Sequence, residues 1–505
     1  MEGKKYIEVS NSQAVAIKDI PLLDYDDFYD YVVDELKIDT HHCLNYYCVD
    51  FGSRLWFVCC IACDELNIIR ICSHELPKGE KSLRSITPEC FQLHIFEREI
   101  HENFRIHFKG HPWLKPVRSS FKNDGTKLHV DAYPFLAFES EELHEVGVGP
   151  IHAGIIEPGH FRFICHGEKV LHLEISLGYQ HRGIEQLFVK QNGLQRTILT
   201  ESVAGDTAVG SSIAHAQLIE SLADLPIPES LMIERCIGLE LERFAIHIGD
   251  TSALCTDVAY QLGQVVNEAL RTTIINTTQF WCGNRFGKGL VRPGGSNYPL
   301  NETVVDEIRN ILKDSGNRYI DMADRIYTLP TVLSRFDGIG ELTPEQAILI
   351  GAVGMAARST SLGRDIRKSH PFQYFNQYQY EPVVLTTGDV LARGMLRYEE
   401  SKKSVSMVNE FCSIWEGMAK EDTPRPVYDY GLKPLSFAIS VVEAWRGELC
   451  HSAITDEQGN LAHYKIKDPS LHNWMALALA VRNQEISDFP VCNKSFNLSY
   501  CGNDI

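Results

Sequence analysis

The alternation of apolar and polar positions divides the chain into a strand-bearing start, a polar bridge and a long helical remainder. Residues 26–36 carry helical apolar spacing, and the apolar runs 42–49 and 54–62 read as core strands. A second helix ends in the stretch FEREIHENFRIHFKGHPWLKPVR, whose charges alone would suit an amphipathic helix before a Gly-His-Pro turn. From 119 to 149 the sequence is polar and acidic, with Asp124-Gly125 and a cluster from Glu139 to Glu142, and reads as a linker. Beyond it, 161–164 and 170–177 alternate with period two around the turn His166-Gly167-Glu168-Lys169, and a helix is expected from Ile184 onward. Residues 211–223, 228–249, 256–278 and 302–325 then have the apolar spacing of packed helices, which implies a bundle. A further helix over 391–409, strand-like runs at 447–449 and 462–466, and a last helix over 470–481 complete the pattern. The expected fold class is an α+β N-terminal domain over 1–118, a linker over 119–148, and a mainly α domain over 149–505 with a helix-bundle core and small antiparallel β-sheets.

Composition narrows the class of partner. The chain has 505 residues, 44% of them hydrophobic, enough for a full core, and a formal net charge of -19. That charge argues against nucleic acid or an anionic lipid surface, both of which demand basic patches. The first ten residues lack the apolar region of a secretory signal, and the longest apolar run, 347–357, falls short of the roughly 18–20 residues a spanning helix needs. A soluble, cytoplasmic chain is expected. Its 15 cysteines are scattered without a framework. Cys60-Ile61-Ala62-Cys63 lies inside an apolar strand and reads as core.

Candidate chemistry gathers between Gly149 and Phe188, where two strands are strung between loops carrying His152, His160 and Gln180-His181-Arg182-Gly183. The last of these sits at a strand-to-helix junction, where a rigid scaffold can present loop residues. Glu240, Arg243 and His247 fall at i, i+3 and i+7 on one helical face; buried, they form either a structural network or part of a proton path. Arg292-Pro293-Gly294-Gly295 is a turn whose glycines permit close approach to a cofactor or another subunit. Arg364 and Asp365 read either as part of a loop near a buried site or as a surface pair.

The order of Gly149-Pro150-Ile151-His152, Gln180-His181-Arg182-Gly183-Ile184-Glu185, Glu240 to His247, Val291 to Gly295 and Gly388-Asp389-Val390 resembles the large subunit shared by energy-converting membrane-bound [NiFe] hydrogenases and respiratory complex I. The stretch from Phe96 to Pro112 is similar to the small peripheral subunit of complex I, here fused to the large one, and implies a docking role. The resemblance also implies where nickel thiolates should stand. Ala204 and Thr207 occupy the first cysteine pair's places, and Ser499 and Gly502 the second's, with Cys501 one position out of register. No metal and no hydrogenase activity are therefore expected, and the chain ends three residues after the second motif.

A complex I reading uses the cavity for a quinone headgroup, with His152, His181 and Arg182 as candidates. The family's cavity tyrosine is not carried over, since 197–206 holds no aromatic residue, although Tyr179 or Tyr500 could stand in. Proton-relay candidates are Glu157, His160, Glu185, Asp206 and His247. Implied partners are an iron-sulfur small subunit, which would carry the clusters, and integral membrane antiporter-like subunits that hold the chain on the inner face of the cell membrane. The implied function is electron transfer coupled to proton or ion translocation; the alternatives are quinone reduction and a silent scaffold between an iron-sulfur partner and a membrane pump.

Overall fold

The computed structural model describes residues 4–119, 126–127, 132–152, 156–419 and 422–505. The turn expected at 124–125 and residues 153–155 of the opening motif lie outside these. The chain enters through three short strands, β1 (Ile7–Val9), β2 (Val15–Ala16) and β3 (Leu22–Leu23). Helix α1 (Tyr25–Leu36) follows, capped by Asp24, whose side chain accepts the Asp27 N–H. Strands β4 (His41–Asp50), β5 (Arg54–Cys63) and β6 (Ile68–Pro77) form an antiparallel sheet in the order β1-β6-β5-β4, with β3 parallel to β6. Tyr46, Phe57, Cys59 and Ile61 face one way and pack under α1; Tyr47, Val49, Trp56, Val58 and Cys60 face the other and join the main core. Burial on both faces is why these strands read as unbroken apolar runs rather than alternations. It also makes Cys60 and Cys63 core residues, as expected.

Strand β7 (Ser82–Arg84) pairs with β8 (His107–Lys109), and between them lies α2 (His94–Phe104). Its charges are not a solvated face. Glu97, Arg98, Glu99 and Glu102 are all buried and all bonded: Glu97 accepts the Ile86 N–H at 2.7 Å, and Arg98 donates to the carbonyls of Lys115 and Pro116. Glu99 lies 2.6 Å from Arg118 and 2.8 Å from Lys465.

Within the stretch read as linker, β9 (His144–Val148) is a strand and extends the hairpin of β10 (His160–His166) and β11 (Lys169–Ser176) into a three-stranded sheet. Helices α3 (Ile184–Lys190), α4 (Gly193–Thr200), α5 (Ala208–Ala223), α6 (Glu229–Asp257), α7 (Gln261–Cys282) and α8 (Glu302–Ile326) follow, α4 opening on a capping box of Asn192 and Gln195. With the helix Val390–Gly417 they form the bundle, in which α6 packs on both α7 and Val390–Gly417. Strands β12 (Ser436–Ala444), β13 (Gly447–Thr455) and β14 (Leu461–Lys467) make the last sheet, and β2, from the start of the chain, pairs on its edge against β12. The fold is mixed α+β. Among the described residues, no helix is long and apolar enough to cross a membrane.

Glu240, Arg243 and His247 are buried on α6, in one charge network. Arg243 reaches Glu240 at 3.1 Å and donates to the Ala444 and Glu443 carbonyls, while Arg367 reaches Glu240 at 3.0 Å. Arg358 lies 2.6 Å from both Glu400 and Glu443, and His247 lies 2.8 Å from Glu400. Asp365 belongs to this network through Arg367 at 2.7 Å, so it is not half of a surface pair; Arg364 is buried as well and donates instead to the Ala352 carbonyl. Burial pushes the Glu240 and Glu400 carboxyls up, and the arginines more than offset it, holding both below the usual range. The close approach at Gly295 is to the chain's own backbone, since a Cβ there would lie 2.2 Å from the Pro424 carbonyl oxygen.

Two expectations follow. Arg243→Ala leaves two buried strand-end carbonyls and a carboxylate short of a donor, and should cost about 3–5 kcal/mol in urea unfolding. The second concerns His42, buried between Glu448 at 2.6 Å and Asp64 at 3.5 Å. Burial lowers its pKa, but the two carboxylates outweigh this and raise it above the ordinary 6.5. Its contribution is fully present below pH 6.5 and is lost as pH rises through the raised value, so His42→Gln should flatten the fall of stability in the alkaline direction.

Candidate functional site

Five segments converge where the resemblance places the metal cavity: the loop before β10, the turn after β11, the turn before α5, the β12–β13 turn and the end of the chain. Each is fixed by side chains that satisfy backbone groups no helix or sheet could satisfy. Asp504 accepts the Gly178 and Gln180 N–H groups at 2.8 and 3.0 Å, and His181 Nδ1 donates to the Asp504 carbonyl at 3.0 Å. Arg182 donates to the carbonyls of Ser202 and Val203 at 2.6 and 2.9 Å. The Gln180-His181-Arg182 cluster therefore holds the C-terminal loop with one residue and the first degenerate cysteine loop with another.

At the centre is Arg446. Its two terminal nitrogens each lie 2.7 Å from one carboxylate oxygen of Asp206, Nη1 reaches the Thr207 hydroxyl at 3.2 Å, and Nε donates to the Asn497 carbonyl at 2.7 Å. One guanidinium thus ties the loop of Ala204 and Thr207 to the loop of Ser499 and Gly502. Trp445 supports it, with its ring 3.9 Å from the guanidinium carbon and its Nε1 donating to the Asp206 carbonyl. Burial would raise the Asp206 carboxyl, but the paired arginine holds it below the usual range. Asp468 is fully buried nearby, accepts the Ser470 N–H at 2.8 Å, and has its carboxyl pushed up by burial despite Arg446. Asp250 links outward, lying 2.7 Å from Arg397 and accepting the Asn497 side-chain N–H at 2.6 Å.

The donor set at the four degenerate positions is one methyl, two hydroxyls and one glycine. Ser499 Oγ is already engaged, accepting the Gly502 N–H at 2.9 Å, and Cys501 Sγ lies 3.4 Å from it with its thiol pushed up by burial to about 11. Nickel in such a centre wants soft thiolates, and none of these four positions supplies one. These residues do not fit a [NiFe] group.

The other expected residues fall in different places. Glu157 accepts the Cys501 N–H at 3.3 Å, and His152 Nε2 lies 3.3 Å from the Tyr500 hydroxyl, whose pKa burial raises. Both therefore stand beside the C-terminal loop. His160 packs its ring 4.8 Å from Phe135. Glu185 belongs to a separate ion cluster, 3.1 Å from Lys465 and accepting the Ile466 N–H, that ties α3 to β14 and, through Glu99, to α2. His247 lies beneath Trp445, edge-on at 6.5 Å, and burial lowers its pKa.

Arg446, Asp468 and Asp250 were absent from the sequence reading. One signal could have found the first. Trp445-Arg446 forms a two-residue hairpin connection, where Asn-Gly, Asp-Gly or Gly-containing pairs are expected, and such a mismatch marks a turn kept for its side chains.

Known proteins resemble both regions of the chain. Residues 20–127 match the family model described as respiratory-chain NADH dehydrogenase, 30 Kd subunit, and 264–504 match that of the 49 Kd subunit. The carbon monoxide-induced hydrogenase of Rhodospirillum rubrum is 29% identical over 70% of this chain and 97% of its own length. Formate hydrogenlyase subunit 5 of Escherichia coli is 24% identical over 93% of this chain and 83% of its own. NADH-quinone oxidoreductase subunit 4 of Thermus thermophilus is 25% identical over 72% of this chain and 94% of its own.

The geometry at Gly502 gives a direct test. A Cβ there would lie 2.5 Å from Asp468 Oδ2 and 2.8 Å from Ser499 Oγ, so restoring the family's cysteine overpacks a buried carboxylate. Gly502→Cys should destabilise the chain by about 1–3 kcal/mol in thermal unfolding, and Asp468→Ala in the same chain should recover part of the loss.

With a 30 Kd-type region over 20–127 and a 49 Kd-type region over 264–504 in one polypeptide, the chain is a fused, complex I-like, hydrogenase-related subunit.

Proposed function

We propose that the chain is the peripheral-arm subunit of a membrane-associated, complex I-like respiratory assembly, that it takes part in electron transfer coupled to proton or ion translocation, and that it works without a [NiFe] centre. The observation that carries this reading is Arg446, a permanent cation paired with Asp206 between the two loops that would otherwise supply thiolates. On this reading the helical region has the architecture of a hydrogenase large subunit, with an arginine–aspartate ion pair in place of the metal. Its partners are an iron-sulfur small subunit, which supplies the redox chemistry, and antiporter-like membrane subunits that hold it on the inner face of the cell membrane. That its relatives are named as hydrogenases and as NADH-quinone oxidoreductase subunits supports this placement.

Within the site, Asp206 and Asp468 flank one guanidinium with opposite tendencies, one carboxyl held low and the other pushed up. Such a pair separates the proton-holding group from the charge-holding group. Glu157, in the opening motif, meets the C-terminal loop at the Cys501 N–H, in position to carry protons to or from this cluster. A second reading, quinone reduction, is favoured by the approach of Tyr500 to His152, which supplies from the C-terminal loop the hydroxyl missing from 197–206.

Two measurements test the proposal. Chain produced together with a full hydrogenase maturation system should contain no stoichiometric nickel by mass spectrometry; one nickel per chain overturns it. In the assembly purified from native membranes, Glu157→Gln should lower coupled turnover by about 10²-fold with unchanged thermal unfolding. Loss of quinone-dependent turnover in both His152→Ala and Tyr500→Phe, with Glu157→Gln unaffected, selects the second reading.

A further inference from the structure

The docking region contains a cluster that the proposed function does not use. At the open end of the first sheet, His41 on β4 and Cys63 on β5 are directly opposite each other, and the last turn of α1 places Glu35 over the pair. One ligand-type atom from each of Glu35, His41 and Cys63 lies within 4.8 Å of the other two. His41 Nδ1 is 3.0 Å from Glu35 Oε2, but it is aimed off the line a hydrogen bond requires and has no hydrogen-bond partner, although the residue is only 7% exposed. The Tyr31 hydroxyl is a second buried polar atom without a partner, on a residue 8% exposed, and it stands in the field of Glu35, Cys63, Cys72 and Arg70. A buried ring nitrogen without a hydrogen bond costs free energy that a ligand would recover.

We propose that Glu35, His41 and Cys63 form a zinc site in this region, independent of the cavity around Arg446. Around a tetrahedral zinc, with bonds of about 2.0–2.3 Å, ligand atoms stand roughly 3.3–3.8 Å apart, a spacing these three atoms can reach by small side-chain rotations. Thiolate, imidazole and carboxylate together suit zinc better than magnesium or calcium, which want oxygen alone. On binding, the Cys63 thiol releases its proton, and the thiolate with the Glu35 and Glu8 carboxylates offsets the dication and Arg70 together. Three protein ligands leave a fourth position for water.

The surroundings are built for such a group. Arg70 Nη1 lies 3.0 Å from both Glu35 oxygens and fixes the carboxylate from outside, in the manner of the partners that orient metal ligands. Tyr6 covers the site, stacked at 5.3 Å on Tyr31 and lying under the Arg70 guanidinium at 4.5 Å. The Glu35 side chain keeps 12% of its surface exposed, which gives an ion an entry route.

The test uses the untagged full-length chain, stripped with a chelator and dialysed against zinc chloride, with zinc counted by mass spectrometry. One zinc per chain is expected, unaffected by excess magnesium or calcium. Cys63→Ser and His41→Ala should each weaken it at least 100-fold, while Cys59→Ser and Cys72→Ser bind as the parent does. Cobalt(II) in place of zinc should give a thiolate-to-cobalt charge-transfer band in the parent chain that is absent from Cys63→Ser, a change small enough to leave the strand intact; circular dichroism checks the fold of each variant. Absence of stoichiometric zinc from the parent, zinc retained in full by both ligand variants, or a cobalt band that survives Cys63→Ser overturns the proposal.

Discussion

Three arginines and four acids removed from water must satisfy one another, and this requirement fixes the middle of the molecule. Arg243, Arg358 and Arg367 face Glu240, Asp365, Glu400 and Glu443, which come from α6, the 358–367 loop, Val390–Gly417 and the end of β12. The desolvation cost of each charge is recovered only when all these segments are in register. With one carboxyl more than there are guanidinia, the group best placed to hold a proton is Glu443, whose pKa burial and Asp365 raise. Three residues along the chain from it is Arg446. The network thus positions the hairpin tip that fills the central cavity, so the site's geometry is inherited from the charges beneath it.

At these two loops thiolates are absent and one arginine–aspartate ion pair stands between them. A cavity framed by Ala204, Thr207, Ser499 and Gly502 cannot stay empty of polar partners, because Asn497 and the turn before α5 still present backbone groups to it. Arg446 satisfies them with five donors in a planar fork and carries the positive charge a metal would otherwise bring. A fixed positive charge thus stands between the two loops.

Much of the architecture was legible because local signals and burial agreed. The period-two run at 170–177 and the apolar stripes of 26–36 and 302–325 each became the element that their pattern implied. Charged stretches were harder. Glu97, Arg98 and Glu99 look like a solvated helix face, and Arg364 and Asp365 like a surface pair, because sequence shows a charge but not the partner that permits its burial. The strand His144–Val148 was missed for a related reason: its side chains are half exposed, and only pairing with β10 gives its backbone a place. The central arginine showed only in its unusual hairpin pair, because its partners arrive from positions about 50 and 240 residues away.

The pairing of β2 with β12 has a consequence for how the polypeptide comes to its final form. Residues 15–16 find their sheet partner only at 436–437, and the inner face of the first sheet, with Trp56, Val58 and Cys60, is covered by core that includes residues 449–466. During synthesis at about 5–20 residues per second, that apolar face would stand uncovered for roughly 20–80 seconds, until most of the chain has left the ribosome. Fusion into one polypeptide does not let the first region finish early. It makes the earliest-made sheet wait for the last-made one, and a nascent chain with so long an exposed interval is a natural client for a chaperone.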